Sequence, residues 1–219
     1  MNLSSLFPPD VVIVKATREM WISPLCMEEE KLIEGAVEKR QREFRAGRHA
    51  AHAALSRLNA PPAPLLRGEK RQPVWPTGFL GSITHCRDAC AAVCAEKGKI
   101  VSLGIDVEPL TPLPKGIARY INTVQEERFL QLHDSLPGRL IFSAKESLYK
   151  CYYPLLQHYF GFQSVSLDID IPERRFHFMP TPESHIRFPR NLCFHGAYLV
   201  DGSHLYTGCF LTRQRPAPP

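Results

Sequence analysis

The chain has 219 residues, 44% of them hydrophobic and 22% charged, which is the composition of a folded protein with one large domain or two small ones. No apolar run approaches the roughly 20 residues that a membrane helix needs, and no basic stretch precedes the first apolar segment as it would in a secretion signal. The net charge of +5 is concentrated in EKRQREFRAGRHAAHAALSR, residues 38–57, and favours an anionic partner. A cytoplasmic protein with no membrane partner is expected.

In chain order, VVIVKA at 11–16 reads as a strand. From about Met27 to Leu58 apolar residues recur at helical spacing, as one helix or two, ended by Asn59 and the prolines behind it. Residues 65–80 form an irregular segment rich in basic and turn residues. GSITH, ACAAVCA and KIVSLGIDVE read as short strands, with EKGK as a tight turn between the last two. Residues 115–136 look helical, and Arg139 to Tyr153 more strongly so, with Pro154 limiting the helix. SVSLDIDI, RRFHFMP, NLCFHGAYLV and HLYTGCFL read as antiparallel strands, the last two joined by a hairpin turn at DGS, 201–203. The sum is an α+β fold. The RPAPP tail is expected to be disordered.

The seven cysteines are odd in number and sit mostly among apolar residues, which suits reduced thiols. Cys86, Cys90 and Cys94, spaced by four, would share a face of a helix; in a strand pair they are simply small buried residues, the preferred reading, and no CxxC pair supports zinc.

Chemistry concentrates in three stretches. In GIDVE, 104–108, Asp106 and Glu108 are two apart on a strand and so point to one face. Two carboxylates that close repel unless a cation lies between them, and hard divalent cations take oxygen ligands; a solvated strand end is the alternative. In FSAKESLYK, 142–150, Glu146 and Lys150 share a helix face, while Lys145 lies about 100° round the axis. Glu146 offers a third oxygen and the lysines offer charge to a phosphate, although an ordinary exposed Glu–Lys pair has the same spacing. In WPTGFLGSITHC, 75–86, Gly78 and Gly81 permit close backbone approach beside Ser82, Thr84 and His85, and a histidine near a basic helix can pair with phosphate.

The ordered set GSITHC, GIDVE, FSAKESLYK, together with REFRAGRHAAHAAL and the WP at 75–76, resembles the 4′-phosphopantetheinyl transferases over roughly residues 38–155. It looks most like their larger, monomeric class, typified by the surfactin-synthetase and enterobactin-synthase enzymes. Phe142 where that class often has tryptophan points to the enterobactin-type branch. The resemblance implies transfer of the phosphopantetheine arm of coenzyme A to a serine of apo acyl or peptidyl carrier proteins, with release of adenosine 3′,5′-bisphosphate. It implies Mg²⁺, with Mn²⁺ possible, on Asp106, Glu108 and Glu146. Lys150 and Lys145 would meet the pyrophosphate, and Glu146 would act as base, with Glu127 or its neighbour Glu126 as a second candidate. Coenzyme A would be bound by Arg40, Arg48 and His85, by Ser82 or Thr84, and by Arg67, Lys70 or Arg71. Arg42, Arg45 and Arg57 read as a solvated face, and His49 and His52 receive no role.

The implied fold is two similar α+β halves about a pseudo-twofold, 1–103 and 104–212, with coenzyme A between them and a tail at 213–219. Acidic carrier proteins would dock near 115–132. Two other classes remain: a Mg²⁺-dependent phosphohydrolase, which would turn over without a carrier, and a basic nucleic-acid binder, which would show steep salt dependence. Neither explains why the three motifs occur together, so no nucleic-acid partner is expected.

Overall fold

A computed structural model describes residues 3–133 and 136–214. Its strands form two antiparallel sheets, and each sheet packs on one long helix. The first sheet takes β1 (Val12–Lys15), β2 (Phe79–His85) and β3 (Cys90–Glu96) in the order β1-β3-β2. The second takes β4 (Ile100–Pro109), β5 (Val165–Asp170), β6 (Arg175–Pro180), β7 (Leu192–Asp201) and β8 (His204–Arg213) in the order β4-β8-β7-β6-β5. The helices are α1 (Met27–Glu30), α2 (Glu38–Arg57), α3 (Ala118–Ile121), α4 (Val124–Leu132) and α5 (Leu140–Leu156). The architecture is α+β, as the pattern of the sequence implies.

The helical stretch expected from Met27 divides at Gly35, whose φ of +72° suits glycine, and resumes at Glu38. α2 buries Ala46, Gly47, Ala50, Ala51 and Ala54, small residues that let it lie close to β3. That strand is buried on both sides: Ala92 and Cys94 face α2, while Ala91, Val93 and Ala95 face a core shared with Ile105, Val107 and Tyr206. It therefore shows no alternation of polar and apolar residues. The buried Cys90 and Cys94 are small core residues as expected, and all seven cysteines are free thiols.

The expected turn at EKGK is present but does not join paired strands. β3 pairs with β1 and β2, and β4 pairs with β8, so the turn carries the chain from one sheet to the other. β4 begins at Ile100, so a division at 103/104 would cut through it. The hairpin at 201–203 is as expected, with Gly202 at φ +61°. Pro154 does not limit α5, which runs on to Leu156 and ends with Gln157 in the left-handed region. Among its described residues, the segment 115–136 forms the short α3 and α4 and no longer helix. Of the expected tail, Arg213 closes β8 and Gln214 donates to Asn191 O; 215–219 lie outside the described residues.

α5 lies across the second sheet, burying Leu140, Ile141, Ala144, Leu148, Cys151 and Tyr152 against Val165, Leu167, Phe176, Leu205 and Leu211. Contact with β4 is closest at Gly104, where a Cβ would collide with the carbonyl oxygen of Ser147. Gly104→Ala must therefore push α5 away, and a loss of about 3 kcal/mol or more is expected, since overpacking against backbone cannot be relieved by a rotamer. Thermal unfolding of the variant tests this; a Tm equal to the parent's would mean the helix is not held at this distance.

Candidate active site

The two sheets meet along β2 and β4. The edge of β4 facing β2 has N–H groups at Ile105 and Val107 that β8 does not take; the hydroxyls of Ser82 and Thr84 accept them, at 3.3 and 3.1 Å. Side-chain oxygens here stand in for a backbone ladder, so the alternation of GSITH sets the register of one sheet on the other.

Asp106 points out of this seam and is only 5% exposed. Lys150 Nζ donates to its Oδ1 at 2.6 Å, Thr84 Oγ1 donates to the same oxygen at 3.1 Å, and Ser143 Oγ donates to Oδ2 at 2.8 Å. Lys150 also donates to Ile105 O at 3.2 Å. β2, β4 and α5 each supply one part. Glu108 is held by Arg139 at 2.7 Å, whose guanidinium also ties down Thr111 O and Pro112 O. Glu146, one turn before Lys150 on α5, has no side-chain hydrogen-bond partner among the described residues.

Burial raises the Glu108 carboxyl above its ordinary range, and the charge of Asp106 adds to this while Arg139 opposes it. Burial likewise raises Glu146, with Lys150 opposing and Asp106 and Glu108 adding. The three do not stand as a closed cage: their oxygens are not gathered within 4.8 Å of one another, and Asp106 and Glu108 are each held by a separate cation. The donor set nonetheless fits a hard divalent cation, because such an ion offsets both the burial and the mutual repulsion that raise Glu108 and Glu146.

Beside this cluster opens a cavity of about 460 Å³, lined by Lys70, Arg71, Trp75, Ser82, Tyr149, Lys150 and Tyr153 among others. Lys70 reaches across it to donate to Gln157 O at 2.8 Å. Four expected cationic groups converge nearby on the first half. Arg40 NH1 lies 3.3 Å from His85 Nε2. Arg48 and Arg67 both lie over the Phe44 ring, at 4.5 and 5.9 Å from its centre, and Arg67 donates to Leu32 O. Burial, with smaller contributions from the charges of Arg67 and Arg40 and against the pull of Glu29, lowers Arg48 to about 10. Its buried Nε has no hydrogen-bond partner, the nearest anion being Glu29 at 3.8 Å. Burial lowers His85, against the pull of Glu43.

Two expected residues lie elsewhere. Lys145 Nζ is sealed 2.7 Å from Glu126 and donates to Ile121 O, so its charge is spent inside the protein and is not presented to the cavity beside Lys150. Glu127 lines a different groove of about 530 Å³ with Arg119, Val124 and Met179. Its neighbour Glu126 is a structural residue: it closes a capping box with Thr123 at the start of α4 and accepts from Leu167 N. The spacing TVQE signals that capping box in the sequence. Ser143, Arg139 and the anions Glu29 and Glu43 were not singled out from the sequence; Glu43 could have been, because it follows Lys39 and Arg40 at i+4 and i+3. His52 gains a role too, bonding the buried Glu29 at 2.9 Å.

Comparison with known proteins matches residues 28–95 to the 4′-phosphopantetheinyl transferase N-terminal domain and residues 102–198 to the 4′-phosphopantetheinyl transferase superfamily. The chain is 40% identical over 147 residues to 4′-phosphopantetheinyl transferase Npt of Nocardia iowensis, covering 66% of each chain. It is 35% identical over 177 residues to 4′-phosphopantetheinyl transferase PptT of Mycobacterium tuberculosis, covering 77% of each. Against enterobactin synthase component D of Escherichia coli the identity is 36% over 123 residues, 54% of this chain and 57% of that one. The chain belongs to the 4′-phosphopantetheinyl transferase superfamily, enzymes that move the phosphopantetheine group of coenzyme A onto carrier proteins. The similarity to the enterobactin synthase components spans about half of each chain.

A carboxyl with a raised folded pKa stabilises the fold while protonated; that contribution is complete below the ordinary value of 4.5 and is lost as pH rises through the raised one. Without added metal, Glu146→Gln is therefore expected to melt above the parent at about pH 7.5, with the gap closing toward acid. Melting curves across pH test this, and a gap that does not change with pH would contradict it.

Proposed function

We propose that the site around Asp106 carries out the phosphopantetheinyl transfer, using a divalent cation, most simply Mg²⁺, held by Asp106, Glu108 and Glu146. The observation that carries this is the buried Asp106, neutralised by Thr84, Ser143 and Lys150, the last of which also lines the 460 Å³ cavity. When bound, the cation supplies charge neutralisation to the pyrophosphate of coenzyme A.

The chain's own groups do the rest. Lys150 lies where it can turn from Asp106 to a phosphate oxygen, so the charge that now neutralises the carboxylate becomes available to the substrate. Glu146, unpartnered and with a raised pKa, is placed to accept the proton of the carrier serine as its oxygen attacks the β-phosphorus and the bond to the departing adenosine 3′,5′-bisphosphate breaks. Arg40, Arg48, Arg67 and His85 form a cationic pocket suited to the 3′-phosphate, and Lys70 spans the cavity as a strap. Ser82 and Thr84 act through position, by fixing β2 on β4. The Lys145–Glu126 pair holds α4 against α5, and Glu127 lies on the groove side, which suits it to the carrier better than to proton transfer.

An acidic carrier, as found in siderophore or fatty-acid assembly, is the partner that the basic chain and the exposed Val124 and Met179 in that groove would meet. A monomer with no nucleic-acid partner is the form proposed, and free thiols throughout suit the cytoplasm. No helix is long and apolar enough to cross a membrane.

Incubation with coenzyme A, Mg²⁺ and apo carrier proteins should add the mass of one phosphopantetheine arm to a carrier. Chelation or Asp106→Ala should abolish the addition, and Lys150→Met should lower kcat by about 10²–10³-fold. Loss of coenzyme A without any gain by a carrier would favour a phosphohydrolase instead. Arg48→Ala should raise KM for coenzyme A much more than for 3′-dephospho-coenzyme A; an equal rise for both would remove Arg48 from the 3′-phosphate pocket.

A further inference from the structure

Away from the nucleotide cavity, three metal-binding side chains converge where the two halves touch. Cys86 and Asp88 sit in the turn between β2 and β3, which is closed by Cys86 N donating to Ala89 O at 2.8 Å. His204 opens β8, 116 residues further along from Asp88. Cys86 Sγ lies 3.8 Å from Asp88 Oδ1, and His204 Nε2 lies 3.0 Å from the same oxygen. All three ligand atoms fall within 4.8 Å of one another, and among the described residues this is the set of three that does so. The other ring nitrogen of His204 lies 3.3 Å from Ser203 Oγ, which fixes the ring so that Nε2 faces the cluster.

These distances fit one kind of ion. A tetrahedral centre with bonds of about 2.0 Å to nitrogen and oxygen and about 2.3 Å to sulfur has edges of roughly 3.3–3.6 Å. The two measured edges fall within a few tenths of an ångström of that. The donors are one thiol, one imidazole and one carboxylate, a mixture that suits a borderline ion and not a hard one such as Mg²⁺. Asp88 is 66% exposed along its side chain, so the fourth position is open to water.

We propose that Cys86, Asp88 and His204 form a second metal site, selective for Zn²⁺-like cations, that staples the β2–β3 turn to the β7–β8 turn. Binding converts the Cys86 thiol to a metal-bound thiolate and releases its proton to solvent. The staple sits at the end of the seam, because His204 is the cross-strand partner of Pro109, the residue after Glu108. It is a different site from the carboxylate cluster: it includes a sulfur, and it does not use Asp106.

Cobalt(II) reports on this directly, because a thiolate ligand gives a charge-transfer absorption in the near ultraviolet that oxygen ligands do not. Titration of the full chain with Co²⁺ is expected to give that band with one equivalent, and Zn²⁺ is expected to bleach it. Asp106→Ala should retain the band and Cys86→Ser should lose it, with His204→Ala weakening Co²⁺ binding at least tenfold. Zn²⁺ at a hundredfold excess over its Kd should raise Tm by roughly 5–10 °C in the parent and leave Cys86→Ser unmoved. No band, or a band that survives Cys86→Ser, would overturn the site. Since the readout is absorbance and melting, failure here leaves the transferase reading untouched, and loss of transfer would not affect this one.

Discussion

The structure turns on a carboxylate that would be costly to bury alone. Asp106 is nearly enclosed between two sheets and a helix, and an isolated ionised group in such a place loses several kcal/mol of hydration. Lys150 from α5, Thr84 from β2 and Ser143 from α5 together saturate it. Removing one charged partner from a pair of this kind typically costs about 3–5 kcal/mol, because the other is left stranded. The same three contacts therefore bind α5, β2 and β4 into one unit and keep a reactive group ready. In the proposed function, the lysine that neutralises Asp106 in the protein alone is the one redirected to an anionic substrate.

That arrangement depends on how closely the elements approach. Gly104 lets α5 rest directly on β4, which brings Ser143 and Lys150 within hydrogen-bond distance of the strand. Across the seam, Ser82 and Thr84 accept the N–H groups of Ile105 and Val107, so these two buried donors of β4 are paired. Thr84 does two things at once, accepting from Val107 N and donating to Asp106. The fold and the site are thus made by the same hydroxyl.

The cations of the first half obey a different logic. Arg48 is buried over Phe44 with an unpartnered Nε, and Arg40, Arg67 and His85 crowd the same region. Like charges held together without a full set of counter-ions store unfavourable energy that an anion relieves on binding. Glu29 and Glu43 offset part of it and fix where the arginines stand. Lys145 shows the contrasting use of a cation: paired with Glu126 in the interior, it locks α4 to α5 and offers nothing to a ligand.

How much of this was legible in the sequence follows from the range of each signal. The apolar runs in NLCFHGAYLV and HLYTGCFL and the turn at DGS are local, so β7 and β8 were placed nearly to the residue. The two-residue spacing of Asp106 and Glu108 and the four-residue spacing of Glu146 and Lys150 likewise put each pair on one face, and the ordered motifs named the family. The double burial of β3, the continuation of α5 past Pro154, and the split of β3 and β4 between two sheets depended on what packs around them. The fate of a charge was the least local property of all. Lys145 and Lys150 stand five apart on one helix, yet the helix's rotation sends one to Glu126 in the interior and the other to Asp106 at the cavity. In the same way Cys86 has Asp88 two residues on in the sequence, but the fold alone brings His204 to the pair, because two hairpins far apart in the chain close on one seam. The sequence by itself determined most of the elements and put the carboxylates and lysines of the three motifs on shared faces. Only the tertiary structure decided which of those residues meet, since that depends on distances between elements that no local pattern encodes.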